Sequence, residues 1–468
     1  RYENNAGAAD RLSGPSESGL TLADFAISSD AAVQRQLDRL TSLSPGRDVL
    51  GLERIAALCQ RLGHPERQLP RSFHIAGTNG KGSTSAFLRA ILESAGRRVH
   101  VYSSPHLVRF NERIRISGTL IDDALLAALL AEVLDVAEGL HASFFEVTTA
   151  AALLAFARHP ADDAIIEVGL GGRLDATNII PAPAVCGIAS LGIDHEGFLL
   201  AAEDGAPDLP PIQRIAWEKS GIIKPLSRIV AQEYPPNVAS IIAAKAKQMG
   251  VEHYAVEGRD WWVSADDVGF RWHSANGDVA RTLHPALPGA HQWHNAGLAI
   301  AMARMAPGFV PDDDSVAKGV AAARWPARLQ RLQLGPLYDL AAPCPVWIDG
   351  GHNVDAAHAL AKYMAESGTQ FTLILGMLAN KDAAQFLQIL APHIAGCIAL
   401  PIDGHEHHNP QTLCAFAQQA GISRCDVADD IGAALQFARG MTDDRPIMIG
   451  GSLYLAGQAL SANGQLPD

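Results

Sequence analysis

The sequence predicts an α/β protein in two domains. The first is a mostly parallel sheet with helices on both faces and a small side sheet, and the second is a smaller α/β unit. Three observations carry this. At 468 residues the chain exceeds the size at which a single core stops growing. Short apolar runs alternate with helical periodicities, the pattern of a parallel sheet covered by helices. That alternation pauses across a polar, Pro-rich stretch and then restarts with apolar runs of its own. The division predicted is a tail over 1–20, a first domain over 21–324 and a second over 325–468, the tail being polar and rich in Gly, Ser and Asn.

The first domain opens with "SFHIAG", a short apolar strand with β-branched content. In the helix that follows, Phe87, Leu88, Ile91, Leu92 and Ala95 recur on one face, and Gly96 supplies a stop. "RVHVYSS" reads as the next strand. Further strands are expected over 163–170, 184–192 and "SRIVAQ", with helices over 122–138 and 148–159. The aromatics and turn signals of 252–287 suggest antiparallel strands of a side sheet. "APGFVPDDDS" and "RWPARLQ" mark the boundary region, 306–328. Beyond it "PVWIDGG", "FTLILGM", "GCIALPI" and "RPIMIGG" read as the strands of the second domain.

Composition narrows the class. Hydrophobic residues at 48% and charged residues at 19% are ordinary for a folded globular chain. Thirty-seven basic against 50 acidic residues give −13, which argues against nonspecific nucleic-acid binding and makes local cations more necessary for an anionic substrate. Six scattered cysteines (Cys59, Cys186, Cys344, Cys397, Cys414, Cys425) without a C-x-x-C pair suggest reduced thiols of a cytoplasmic protein. The N-terminal stretch lacks the apolar core of a signal peptide, and the most lipid-like run, 124–134, is too short to span a bilayer and contains Glu132. The expectation is a cytoplasmic monomer without a membrane or nucleic-acid partner.

Two motifs carry chemistry. "AGTNGKGSTS" places glycines between a strand and a helix start, where backbone N–H groups converge on an anion. It departs from G-x-x-x-x-G-K-[ST]: Gly77 stands three positions before Gly80, and Gly82 separates Lys81 from Ser83. Lys81 supplies a charge for the β- and γ-phosphates, and Ser83 a hydroxyl for Mg²⁺. A plain turn needs glycine for its backbone angles, but not a lysine and a Ser-Thr pair beside it. The second motif, "IIEVGLGGRLDATNII", ends an apolar strand on Glu167. A carboxylate there can hold a hard cation, at the sheet edge where α/β proteins bind ligands. Asp175 and Asn178 lie just past it.

Together, and in this order, the two motifs resemble folylpolyglutamate synthase and the bacterial bifunctional dihydrofolate synthase/folylpolyglutamate synthase, which belong with the muramyl ligases. The resemblance runs from "GLERI" to "IMIGGSLYLAG". It implies a P-loop ATPase-like first domain, a Rossmann-like second domain, and an ATP-dependent ligase that joins L-glutamate to dihydropteroate and to reduced folates. Thr78, Asn79, Gly80, Lys81, Gly82, Ser83 and Thr84 would bind ATP with Asn295, Arg328, Asp349 and His352 of the later motifs "HQWHNAGLAIA", "WPARLQ" and "IDGGHN". Two Mg²⁺ ions are implied, with Ser83, Glu167 and His195 as ligands, and a monovalent cation is left open. Lys219 in "WEKSGI" matches the family lysine that carries a carbamate, and Lys81, Lys219 and His195 would form the catalytic group. Ser104, Pro105, His106, Arg109 and Arg113 match the loop near the folate site, Asp175 a pterin contact, and Lys381 in "GMLANKD" a further substrate contact.

On physical grounds Arg109, Arg113 and Arg115 read as a basic loop that offsets the acidic surface. There are three departures from the family pattern. "DGGHN" stands for the commoner "DGAHN", the segment 197–213 is longer than usual, and "GHEHHNP" (His405, His407, His408) reads as a solvated loop. Three rival functions remain at this point. A muramyl-type ligase is disfavoured by "GKGS", and a non-catalytic ATP-binding switch by the set Glu167, His195 and Lys219. Nothing points to the phosphorylated hydroxyl that a kinase would need.

Overall fold

The structure, a computed structural model, describes residues 27–43, 50–201, 206–265, 269–441 and 444–468. The tail expected over 1–20 lies outside them. Among the described residues three sheets form. The first contains β1 (Arg71–Ala76), β2 (Val99–Tyr102), β3 (Ile114–Ile116), β4 (Thr119–Leu120), β5 (Asp163–Glu167), β6 (Val185–Ile188), β7 (Arg228–Ala231) and β8 (Tyr254–Val256). Their order is β4-β3-β2-β5-β1-β6-β7-β8, parallel except for the β2-β3-β4 edge. The second is antiparallel: β9 (Trp261–Ala265), β10 (Phe270–Ser274) and β11 (Val279–Thr282). The third contains β12 (Gln330–Arg331), β13 (Val346–Ile348), β14 (Phe371–Leu375), β15 (Ile394–Ala399), β16 (Cys425–Val427) and β17 (Ile447–Gly450), with only β12 antiparallel.

Alternation along β5 explains why both faces of the first sheet are covered. Ala164 and Ile166 pack with the helices Ala31–Leu43, Asp123–Val136 and Phe144–Arg158. Ile165 points the other way, into a core shared by the helices Lys81–Ser94 and His291–Met305 and the small antiparallel sheet. The third sheet splits likewise, with Ile374 and Ile398 on one face and Leu373, Leu375 and Cys397 on the other.

Several local expectations shift. Tyr254–Val256 does not join the side sheet but extends the main one beside β7. The helix read as 148–159 begins at Phe144, because Ser143 and Glu146 form a capping box. The region read as a boundary contains a helix, Asp313–Ala322, whose Val316 and Val320 pack into the first-domain core. Only 323–329, without helix or strand, leads to the third sheet. Cys414 and Cys425 form a disulfide between the helix Pro410–Gln419 and β16, against the expectation of six free thiols; Cys59, Cys186, Cys344 and Cys397 are free and buried. No helix among the described residues is long and apolar enough to cross a membrane.

Candidate active site

Strand β1 ends at Ala76 and the next helix starts at Lys81, so four residues make the turn. Thr78 and Asn79 donate their N–H groups to the Ser190 carbonyl (2.8 and 3.4 Å), and Thr78 Oγ1 donates to the Gly192 carbonyl (2.8 Å). The loop is thereby tied to the end of β6. Gly80 adopts φ +83° with the Asn295 amide packed against its α-carbon, where a side chain would be strained and crowded. Gly82 is needed for space: a β-carbon there would lie 2.6 Å from the Trp325 indole. The glycine inserted between Lys81 and Ser83 thus receives the segment that leads to the second domain.

Lys81 Nζ donates to the loop's own carbonyls, Gly77 (3.0 Å) and Thr78 (3.4 Å). Burial lowers its pKa, while Glu167 and Asp194 pull it back. Lys219 Nζ donates to the same Gly77 carbonyl at 3.0 Å, and burial together with Lys81 brings it down to about 7. Its helix, Pro211–Ser220, is fixed on the second glycine motif: Arg173 and Arg214 both bond Glu218 and flank the Trp217 ring at 4.5 and 4.6 Å.

Glu167 is 4% exposed, and burial pushes it up to about 7 against the pull of Lys81 and Arg328. Its Oε2 is buried without a hydrogen-bond partner among the described residues. Ser83, Glu167 and His195 all line one cavity of about 300 Å³ with Lys81. Burial lowers the His195 pKa to about 3, so the imidazole is neutral and able to donate a lone pair. A hydroxyl, an orphaned carboxylate oxygen and a neutral imidazole fit a divalent cation completed by phosphate oxygens and water. The described residues contain no group of three or more His, Cys, Asp and Glu side chains that could hold an ion by themselves.

The same cavity takes Asn295, Arg328, Asp349 and His352 from the chain's second half. Asn295 is clamped between Gln232 (3.3 Å) and Gln292 (3.0 Å). Asp349 accepts from the Leu329 and Gly351 N–H groups (2.8 and 2.7 Å), so it shapes the backbone at the cavity wall. His352 Nδ1 bonds the Gly350 carbonyl at 2.9 Å.

A second cavity, about 230 Å³ and mostly apolar, is walled by Phe144, Phe145, Leu170 and Tyr454 and holds Arg113, Asp175 and Lys381. Asp175 is fixed by N–H groups of Leu170 (2.8 Å) and Thr177 (3.0 Å) and by the Thr177 hydroxyl. That hydroxyl accepts from His74 Nε2 at 2.9 Å, which places the His74 proton on Nε2. Arg113 departs from the expected basic loop. It is fully buried, bonds His106 at 2.9 Å and lies against the Phe110 and Phe144 rings (5.3 and 5.5 Å). Lys381 pairs with Asp194 at 2.6 Å. The histidine loop is not simply solvated: His405 stacks on Tyr454 and His408 Nε2 bonds the Lys381 carbonyl at 2.8 Å. The longer segment 197–213 includes 202–205, outside the described residues.

Asp194 is what the motif reading missed. Asn353 bonds its Oδ2 (3.1 Å), and Asn353 also bonds Asn79 Oδ1 (3.1 Å), so one carboxylate joins the phosphate-loop side to the third-sheet side. Burial opposes its ionisation, yet nearby cations hold it well below the usual carboxylate range. His195 and His352 are themselves held near 3 and 4, so Lys381 is the cation that counts at neutral pH. The available signal was "DH" at a strand's carboxyl end, of which only the histidine was taken.

The chain is 31% identical over 422 residues to the dihydrofolate synthase/folylpolyglutamate synthase of Bacillus subtilis, covering 86% of this chain and 93% of that protein. It belongs to the dihydrofolate synthase/folylpolyglutamate synthase family. The family model for the dihydrofolate synthetase C-terminal domain matches residues 337–462. The solved Escherichia coli member in complex with DHPP and ADP superposes with a TM-score of 0.81 at 30% identity, covering 92% of this chain and 97% of that one. A bifunctional folylpolyglutamate synthase/dihydrofolate synthase with Mn, AMPPNP and L-glutamate bound gives 0.78 at 29% identity, with 92% and 97% covered. Like its family, the protein is an ATP-dependent ligase that forms an amide bond with an amino acid.

Proposed function

We propose that the protein joins L-glutamate to dihydropteroate and to the glutamate chain of reduced folates, with ATP becoming ADP and phosphate. The observation that carries this is the meeting of the polar cavity and the apolar, ring-walled cavity at Ser104, Pro105 and Leu453, which line both. A pterin held by Asp175 between Phe145 and Tyr454 would project its carboxylate toward a nucleotide's γ-phosphate.

In the first step a carboxylate oxygen attacks the γ-phosphorus, the bond to ADP breaks and an acyl phosphate forms. In the second, the neutral amine of glutamate attacks the acyl carbon, phosphate leaves and the amine proton is lost. Alignment and charge neutralisation do most of this work. The N–H groups of 77–84 and Lys81 cradle the β- and γ-phosphates, and Lys81 exchanges its carbonyl partners for phosphate oxygens. Ser83, Glu167 and His195 would hold Mg²⁺, which would neutralise phosphate charge. Asn295, Arg328 and His352 hold the rest of the nucleotide, and Asp349 supports them from the wall. His106 and Arg109 steady the substrate loop, and Arg113 backs the pterin through the aromatic wall.

A Lys219 pKa of about 7 leaves enough neutral amine to add CO₂, forming an N–C bond and releasing a proton. The resulting carbamate would place an anion beside Lys81, where it would help to hold a second Mg²⁺.

Purified protein with ATP, Mg²⁺, glutamate and dihydropteroate should release phosphate only when all four are present, and tetrahydrofolate should replace dihydropteroate. Equal phosphate release without any pterin would defeat the proposal.

A further inference from the structure

A third cavity, about 600 Å³, opens from the same junction: Ser104, Pro105 and Leu453 line all three, and Glu167 and Arg328 line both this one and the nucleotide cavity. Its far wall is cationic, with Arg89, Arg109, Arg115 and Arg324. Of the acidic residues beside them, Glu167 and Glu93 each keep one buried oxygen without a hydrogen-bond partner among the described residues. Glu112 accepts from three backbone N–H groups at 2.6 to 3.0 Å, and Glu93 lies 3.9 Å from Arg89. Arg109 keeps a buried Nε without a partner among the described residues. The wall already holds an extended peptide segment: Arg109 donates to the Pro467 carbonyl at 2.5 Å, and Arg115 to an Asp468 oxygen.

The ring cavity and the phosphate cavity are a fixed distance apart, whereas each round of glutamate addition lengthens the chain between ring and reacting carboxylate. The added units must go where there is room, and each brings one further α-carboxylate. We infer that the arginine-walled cavity takes the glutamyl tail of extended folates, its guanidiniums pairing with the α-carboxylates of successive γ-linked residues. This rests on the ligase reading above and adds the subsite that reading lacks. Free glutamate carries the same carboxylate chemistry, so the test must separate incoming amino acid from bound tail.

Binding of pteroyltriglutamate and pteroylmonoglutamate to the full chain by calorimetry, with ADP and Mg²⁺ present, isolates the tail from turnover. The parent should bind the triglutamate at least tenfold more tightly. Arg89→Gln combined with Arg324→Gln should shrink that gap below threefold, and Arg89→Lys, which keeps the charge, should restore part of it. In assays the double variant should leave dihydropteroate turnover, and the KM for free glutamate in that reaction, within about twofold of the parent. An unchanged affinity gap in the double variant would overturn the assignment. A raised KM for free glutamate with dihydropteroate as acceptor would overturn it too, giving the cavity to the incoming amino acid. A parent that turns over no pterin yet keeps the tail-dependent gap would sink the ligase reading while leaving the subsite standing.

Discussion

The two sides of the cavity proposed for the nucleotide are built on different principles. On the first-sheet side, the loop 77–84 is held by backbone bonds to Ser190 and by the Thr78 hydroxyl on Gly192, just past the strand end next to it. On the other side, closure depends on side chains reaching between the first and third sheets, with Asp194 meeting Lys381 and Asn353. The loop's geometry is therefore set largely by local chain and sheet register, with Asn79 and Gly82 alone reaching the Asn353 and Trp325 side. The seam exists only when both halves meet, and its central pair is almost dry, each side chain 10% exposed. In the proposed mechanism the loop side carries the phosphate chemistry and the seam the commitment to substrate.

Breaking the rigid side should have the larger effect. Lys81→Ala removes the loop's cation without touching its backbone bonds, and kcat should fall by about 10³-fold or more, as losses of transition-state charge stabilisation do. Pteroyl-ligand affinity should be unchanged in the same variant. Retained turnover would mean the loop is a scaffold only.

Breaking the seam comes next. Asp194→Ala leaves the Lys381 ammonium buried without its counter-charge, a loss of about 3–5 kcal/mol in comparable pairs. The part of that loss borne by docking of the two halves should appear as roughly a 100-fold drop in kcat/KM for ATP. Lys381→Met alone should lower kcat/KM for ATP similarly, and the double variant should lose much less than the sum of the two. Additive losses would show that the pair does not act as one latch.

The smallest expected effect concerns the support beneath Asp175. Burial, with a contribution from Lys224, lowers the His74 pKa to about 3, against about 6.5 in an unfolded chain. Between those values the unfolded chain binds a proton that the folded one refuses. Stability from this group is complete above pH 6.5 and is lost as pH falls toward 3, by at most about 1.4 kcal/mol per pH unit. Denaturant unfolding between pH 7 and 4 should show a shallower acid loss in His74→Gln than in the parent. Identical slopes would mean His74 is not buried neutral.

How much of this the sequence revealed follows the same division. That the glycine-rich loop 77–84, Glu167 and Asp175 line the two cavities was legible because each motif packs its polar groups into about ten residues beside a strand end. The seam was not, because Asp194 lies 187 residues from Lys381, and the local "DH" past a strand end says nothing of which distant side chain the aspartate meets. That Arg113 is buried was not legible either, because "RFNERIRIS" gives no hint that Phe144 will cover it. The Cys414–Cys425 bond escaped for a related reason: β16 is three residues long and offers little periodicity to place it beside the helix Pro410–Gln419. Gly82 shows an intermediate case, its position evident but its purpose, room for Trp325, visible only once distant chain is in place.

The account stands on an acyl phosphate formed where the two cavities meet, and oxygen labelling tests that directly. Dihydropteroate carrying ¹⁸O in both carboxylate oxygens should, in one turnover with ATP and glutamate, pass one ¹⁸O to the released phosphate, read by mass spectrometry. Released phosphate without ¹⁸O, alongside dihydrofolate product, would contradict attack by the carboxylate on the γ-phosphorus and with it the proposed use of this site.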